Sequence, residues 1–266
     1  MPFDTSLFLD ALFSRAFFEG ALVTLALTIV SHAVGISLGL GLAVMGGARS
    51  RPTRGFVTFY VWLFRGAPVL LLLLFVWNAL PQLFPIFRQA WFSPFLAAWL
   101  ALSLNETAYQ AEISRASLLS VDAGQRDAAA ALGLSRPKAF WLVVLPQALR
   151  VALPPTVNEF ITLLKTTSLA SVISLQELLA VTTRASNASF RYTEFYAVAL
   201  VYYLVIVSAL MLVQGRVERQ LGSSRQVRLA HAQWRAPPAF TPARALRAGC
   251  AGRREAGPGS AGSRGW

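Results

Sequence analysis

Residues 127–150 read DAAAALGLSRPKAFWLVVLPQALR. The stretch sits between strongly apolar segments, yet it opens on Asp127 and four alanines, breaks at Gly133, and carries Arg136 and Lys138 before Leu145-Pro146. As a membrane span it is too polar. As cytoplasmic structure it divides into two short helices. Ser120 or Asp122 can cap a helix through GQRDAAAALG, and Gly133 can end it with positive φ. A second helix is predicted from about residue 136 to residue 144, ending before Leu145-Pro146. The alanines at 128–131 leave the first helix thin, so that another backbone or groove can approach it closely. A link of about 30 residues is long where most helix connections have 2–8, and long ordered loops disproportionately carry function.

The surrounding chain explains why this segment stands out. Of 266 residues, 55% are hydrophobic and 14% charged, against about 25% charged in a soluble domain. The apolar residues come in long blocks, which predicts an all-α integral membrane protein. Residues 17–45, 57–80, 91–119, 153–173 and 195–213 are the expected spans. The first carries Thr24, Thr28, Ser31, Gly35, Ser37, Gly39 and Gly41, a small face suited to close helix packing. The N-terminal MPFDTSLFLDALFSR lacks a basic leader, so the first span is expected to remain as an anchor.

Loop charges orient the spans. Arginines are sparse before the first span. They then alternate dense (Arg49, Arg51, Arg54), sparse (Arg88), dense (Arg115, Arg126, Arg136, Lys138, Arg150), sparse (Arg184, Arg191) and dense again from Arg216 onward. Five transmembrane helices with the N-terminus outside and the C-terminus cytoplasmic fit this pattern. From Gly222 on, eight arginines and one acid supply +7 of the net +12. That tail, residues 222–266, has the composition of a disordered segment suited to anionic membrane lipids. Nucleic acid is excluded as a partner, because the apolar body offers no folded basic face.

Enzyme chemistry has little to stand on. The two histidines, His32 and His231, lie in the first span and the tail, and the single cysteine is Cys250, so no paired metal site or disulfide framework arises. Neither Lys138 nor Lys165 ends a phosphate-binding loop, and no serine–histidine–acid set is present. No catalytic residue is assigned. The informative polar groups lie inside the spans. Arg65 falls about 13 Å from the cytoplasmic end of the second span, Asn105 and Glu106 about 20 Å up the third, and Lys165 about 18 Å into the fourth, at about 1.5 Å per residue. Intramembrane charges usually face a cavity or a partner. One reading is a shared midplane cavity; the other is that Arg65 with Glu106, or Glu159 with Lys165, pairs to pin helices. Thr166, Thr167 and Ser168 either satisfy helix backbone or bond a solute. Mixed signs at midplane suit a zwitterionic solute, since Arg or Lys can face a carboxylate and an acid an ammonium.

The motifs then resemble a family. Asp127-Ala128-Ala129, three residues, Gly133, nine residues, Val143, one residue, Leu145-Pro146 is similar to the EAA loop of binding-protein-dependent ABC transporter permeases, with Asp127 for Glu and Val143 for Ile. Phe64-Arg65-Gly66-Ala67-Pro68 resembles the Phe-Arg-Gly-Thr-Pro element of the polar amino acid uptake branch, with Ala67 for Thr. Asn105-Glu106-Thr107-Ala108-Tyr109-Gln110-Ala111-Glu112-Ile113 and Leu164-Lys165-Thr166-Thr167-Ser168-Leu169 resemble two further elements of that branch. The likeness covers residues 20–221. It implies a type I ABC importer permease fold and a multi-pass protein of the bacterial inner membrane. Residues 1–16 would be a periplasmic or interfacial segment, and residues 17–221 the permease domain, with coupling helices at about 120–146. Asp127, Ala128, Ala129, Gly133, Leu145 and Pro146 would couple to a separate ATP-binding subunit that holds ATP and Mg, with no cofactor on this chain. Arg65, Ala67, Asn105, Glu106, Lys165, Thr166 and Ser168 would line the substrate pathway. A periplasmic solute-binding protein and a second permease chain, identical or related, complete the implied assembly. Alternatives from other classes are an ion-driven transporter or channel without an ATPase, and a membrane scaffold that transports nothing.

Overall fold

The computed structural model describes residues 3–221, and every regular element within them is helical. Helix α1 (Thr5–Leu12) is short, and Asp4 caps it by accepting the Ser6 and Leu7 amides. The Ser6 hydroxyl and the Leu7 amide hold the Asp4 carboxyl below the usual carboxylate range. Then come α2 (Arg15–Gly46), α3 (Arg51–Gly66), α4 (Val69–Leu83), α5 (Pro94–Leu119) and α6 (Ala123–Ala131). The last three are α7 (Arg136–Ile173), α8 (Leu178–Ser189) and α9 (Tyr192–Leu221). The basic tail expected to be disordered, residues 222–266, lies outside the described residues.

The centre of the bundle is the seam between α2 and α5. A Cβ on Gly35 would overlap Glu106 Cγ, and one on Gly39 would lie 2.6 Å from Gln110 Cβ and 2.8 Å from the Ala111 nitrogen. Glycine at these two positions lets the backbones approach to contact. Around the seam pack Leu27, Leu73, Ala97, Ala101, Leu102, Leu163 and Ile173, all buried. A second apolar cluster, with Phe17, Leu178, Phe195 and Val198, joins α1 and α8 to the start of α9. There the Asp4 amide donates to Glu194 at 3.0 Å and the Tyr202 hydroxyl to the Leu12 carbonyl at 2.8 Å. Helix α9 turns Leu200, Leu204, Val205, Met211 and Leu212 outward, a face suited to lipid.

Three helices, α2, α7 and α9, are long and apolar enough to cross a membrane, and α3 with α4 makes a further bent pair. Helix α5 has the length, but Asn105, Glu106, Gln110, Glu112 and Arg115 make its second half polar.

Three expectations change. The second span, read as one helix over 57–80, is two helices bent by 100°. Pro68 disfavours the α-conformation for the residue before it, and Ala67 is extended at φ −77°, ψ 131°. The helix expected to stop before Leu145-Pro146 does not stop: α7 runs unbroken from Arg136 and contains the segment read as a separate fourth span from 153. A π-type turn over Phe140–Val144 widens the helix ahead of Pro146, and the Leu145 amide reaches back five residues to the Phe140 carbonyl. That accommodates a ring which would otherwise meet the carbonyl four residues earlier. Finally, the loop holding Arg184 contains α8, capped by Glu177, whose carboxylate accepts the Leu179 and Ala180 amides.

Candidate functional site

Two regions carry the polar residues singled out from the sequence. The first is the link from α6 to α7. Asp122 caps α6 through a 2.6 Å bond to the Gly124 amide. The helix ends in a Schellman turn: the Leu134 amide bonds the Ala129 carbonyl at 3.0 Å, and the Gly133 amide bonds that of Ala130 at 2.9 Å. Gly133 sits at φ +75° with open space where a side chain would be. The conformation therefore selects glycine here, not crowding. Asp127, Ala128 and Ala129 lie on α6, with Ala129 buried. Leu145 is buried and Pro146 exposed on α7, just past the π-type turn. Gln147 ties the two helices by donating to Gln125 at 3.3 Å, and it satisfies the Val143 carbonyl at 2.9 Å. Leu132 is 82% exposed, Trp141 62% and Leu142 67%. Leu132 in the loop and Trp141 and Leu142 at the start of α7 are thus large apolar side chains left uncovered.

The second region is the interior of the bundle, where the chosen residues fall into three separate networks. Glu106 is 1% exposed; its Oε1 takes His32 Nδ1 at 2.8 Å and the Gln110 amide nitrogen at 2.8 Å. Thr156 then donates to Gln110 Oε1 at 3.2 Å, and the His32 ring meets Phe160 edge-on at 5.1 Å. This chain of contacts joins α2, α5 and α7. Arg65 does not pair with Glu106. Its guanidinium lies over the Tyr109 ring at 5.1 Å and 3.4 Å from Glu112, which also holds Arg115. Asn105 has a different task. Its amide donates to the Phe64 carbonyl at 2.6 Å. The residue four positions after Phe64 is Pro68, which has no N–H, so Asn105 supplies the donor the bend removes. Ala67 forms the bend itself.

Lys165 is exposed on α7 and pairs with neither Glu159 nor any other acid among the described residues. Thr166 and Ser168 turn their hydroxyls back onto helix carbonyls, to Thr162 at 2.9 Å and Lys165 at 2.7 Å; Thr167 does the same to Leu164 at 2.7 Å. From Thr167 the helix tightens to 3₁₀ geometry, and Ser174 ends it at φ 65°. His32, Gln110 and Thr156 were not singled out for this site in the sequence. The small face of α2 was the available signal, because Gly35 is what lets Glu106 reach His32. Among the described residues no three metal-ligating side chains cluster.

Comparison with known proteins follows this geometry. A family model described as binding-protein-dependent transport system inner membrane component matches residues 35–223. The octopine transport system permease protein OccM of Rhizobium radiobacter is 40% identical over 215 residues, covering 77% of this chain and 85% of that protein. The arginine transport system permease protein ArtQ of Bacillus subtilis is 38% identical over 207 residues, covering 77% and 92%. The glutamine transport system permease protein GlnP of Escherichia coli K12 is 36% identical over 208 residues, covering 76% and 91%. Among solved structures, an amino acid ABC transporter crystallised with histidines superposes at a TM-score of 0.75 with 32% identity, over 83% of this chain and 100% of that one. A bacterial alginate ABC transporter in complex with an alginate pentasaccharide-bound periplasmic protein shares the fold at a TM-score of 0.61 and 16% identity, over 84% and 85%.

Proposed function

The chain belongs to the family of inner membrane components of binding-protein-dependent transport systems, and from that premise we propose that it is the permease subunit of an ATP-driven importer for a polar amino acid. The observation that carries the reading is the loop after α6. It is ordered by a Schellman turn and leads directly into α7, and Leu132 in the loop with Trp141 and Leu142 at the start of α7 stand uncovered. A subunit without a nucleotide site needs such a surface to receive work from one that has it. Relatives named as octopine, arginine and glutamine permeases support the amino acid class.

In this reading the protein sits in the bacterial inner membrane with five spans. These are α2, the bent pair α3–α4, α5, α7 and α9, with the N-terminus outside. A separate ATPase holds Mg-ATP and grips the segment from Asp127 to Pro146. Because α7 is unbroken from the loop into the bundle, displacement of the loop moves Lys165 with it. A second permease chain completes the pathway, and a periplasmic binding protein delivers the solute at the opposite end. Arg65 and Lys165 present cations to the carboxylate of a zwitterion; Ala67, Asn105, Glu106, Thr166 and Ser168 shape the wall.

The test is ATP hydrolysis by the complex reconstituted in vesicles, with and without amino-acid-loaded binding protein. Stimulation is expected, and Lys165→Met should reduce it at least about tenfold, the scale of one charge-assisted hydrogen bond, without lowering the melting temperature. Uptake that proceeds with no ATPase subunit present would establish the ion-driven alternative. A complex with neither uptake nor stimulation would establish the scaffold.

A further inference from the structure

A cavity of about 660 Å³ lies between α6, the first turns of α7 and the ends of α2 and α5. Its size is in the range of ligand pockets. Asp127 and other residues of the segment proposed to couple to the ATPase line it on one side, while the outward-facing Leu132, Trp141 and Leu142 are not among its walls. Those walls are mainly apolar, with Leu118, Leu134 and Phe140 prominent, and they carry Arg115, Arg126 and Arg136 against a single carboxylate, Asp127. The arginines are differently engaged. Glu112 holds Arg115 at 3.1 Å. Arg126 spends one nitrogen on the Leu118 carbonyl at 2.9 Å and keeps its other donors. Arg136 makes no ion pair with any acid among the described residues.

Position adds the second argument. The end of α2 lines the cavity with Ala43, Val44 and Gly46, and Gly47 just past it does too. The apolar run of α2 ends there, and Arg49, Arg51 and Arg54 follow. The cavity therefore straddles the level at which hydrocarbon gives way to headgroups, with guanidinium groups beside an apolar floor.

We propose that this cavity binds an anionic phospholipid of the adjacent leaflet, its phosphate between Arg126 and Arg136 and an acyl chain along Leu118 and Phe140. With Arg115 neutralised by Glu112, Arg126 and Arg136 stand against Asp127 alone, which favours a headgroup of net negative charge. A choline headgroup would bring a cation of its own. The apolar floor has no use for a free phosphate, which sets the lipid apart from a soluble anion of the same chemistry.

The experiment uses the full chain, purified with the subunits that accompany it and stripped of lipid in mild detergent. Native mass spectrometry counts dioleoylphosphatidylglycerol or dioleoylphosphatidylcholine retained per permease chain. One phosphatidylglycerol is expected, with little phosphatidylcholine. The double variant Arg126→Gln/Arg136→Gln should lower the affinity about 30-fold, taking about fivefold for each basic residue at a membrane surface. Arg49→Gln/Arg51→Gln removes equal charge at the same end of the bundle but outside the cavity, and should retain the lipid. Equal loss in both double variants, equal retention of the two lipids, or saturable binding of glycerol phosphate as tight as that of the lipid would each overturn the proposal. So would seating of the ATPase subunit in the cavity, read as a crosslink from a cysteine at Leu134. A complex that holds phosphatidylglycerol yet fails to hydrolyse ATP would leave this site standing and remove the importer reading.

Discussion

Replacing Gly133 by alanine should uncouple ATP hydrolysis from transport while leaving the bundle intact. Gly133 is at φ +75°, and a Cβ added there would meet nothing within 4 Å. The substitution therefore adds no clash, and its cost is confined to the backbone. An L-residue in the left-handed region costs roughly 1–2 kcal/mol, which lowers the population of the Schellman turn relative to unwound forms by a factor of about 5 to 30. The two bonds that define the turn, Leu134 to Ala129 and Gly133 to Ala130, are the ones at risk. They join α6 to α7 but lie outside the apolar clusters, so the melting temperature should fall by no more than about 2–8 °C. Gly133→Asn separates conformation from size. Asparagine tolerates the left-handed region, so this bulkier variant should recover most of the activity alanine loses. The assay is binding-protein-stimulated ATP hydrolysis beside uptake in the same vesicles. Asparagine failing as badly as alanine would mean that space at Gly133 matters and not its φ, and the reasoning would be refuted. Full coupling in the alanine variant would refute it equally.

Gly39→Ala should destabilise by about 1–3 kcal/mol through overpacking, because its Cβ would lie 2.6 Å from that of Gln110. Gly41→Ala on the same helix, with open space around it, should be neutral or stabilising, and thermal unfolding in detergent compares the two. His32→Leu leaves buried Glu106 without its ring partner and should cost about 1–3 kcal/mol for the lost hydrogen bond; adding Glu106→Gln should recover part of the loss in the same melts. Asn105→Ala should cost about 1–3 kcal/mol by orphaning the Phe64 carbonyl. Thermal unfolding in detergent measures that loss, and Asn105→Gln, which keeps an amide donor, should lose less.

Much of this architecture was legible because hydropathy and glycine act locally. The apolar blocks predict α2 to within two residues and the start of α9 to within three, while α9 runs eight residues past its predicted end; Gly133 announces a left-handed turn through its neighbours alone. The small face of α2 predicts a close partner. The identity of that partner was not legible. Glu106 lies 74 positions from His32, and charge alone favours Arg65 as its mate. The outcome depends on how far α5 slides into the groove made by Gly35, a three-dimensional quantity with no local signature. Helix α8 was hidden for a related reason. Its buried residues include Thr182 and Ser186, whose hydroxyls bond back to Leu178 and Thr182 at 2.7 Å each. A helix whose buried face is hydroxyl-rich reads as loop in a hydropathy scan.

The prolines show why local signals alone misplace two boundaries. Pro68 and Pro146 each remove one donor and crowd the carbonyl four residues back. At Pro68 the chain leaves the helix: Ala67 turns extended, and the stranded Phe64 carbonyl is rescued from another helix by Asn105. At Pro146 the chain stays helical. The preceding Leu145 keeps α geometry at φ −62°, ψ −44°, and the turn widens to a π-type turn. What differs is how the ring is met, by leaving the helix and drawing a donor from across the bundle in one case, by widening the turn in the other. The two solutions leave different geometries: a bend braced against α5 through Asn105, and a helix continuous from Arg136 past Lys165.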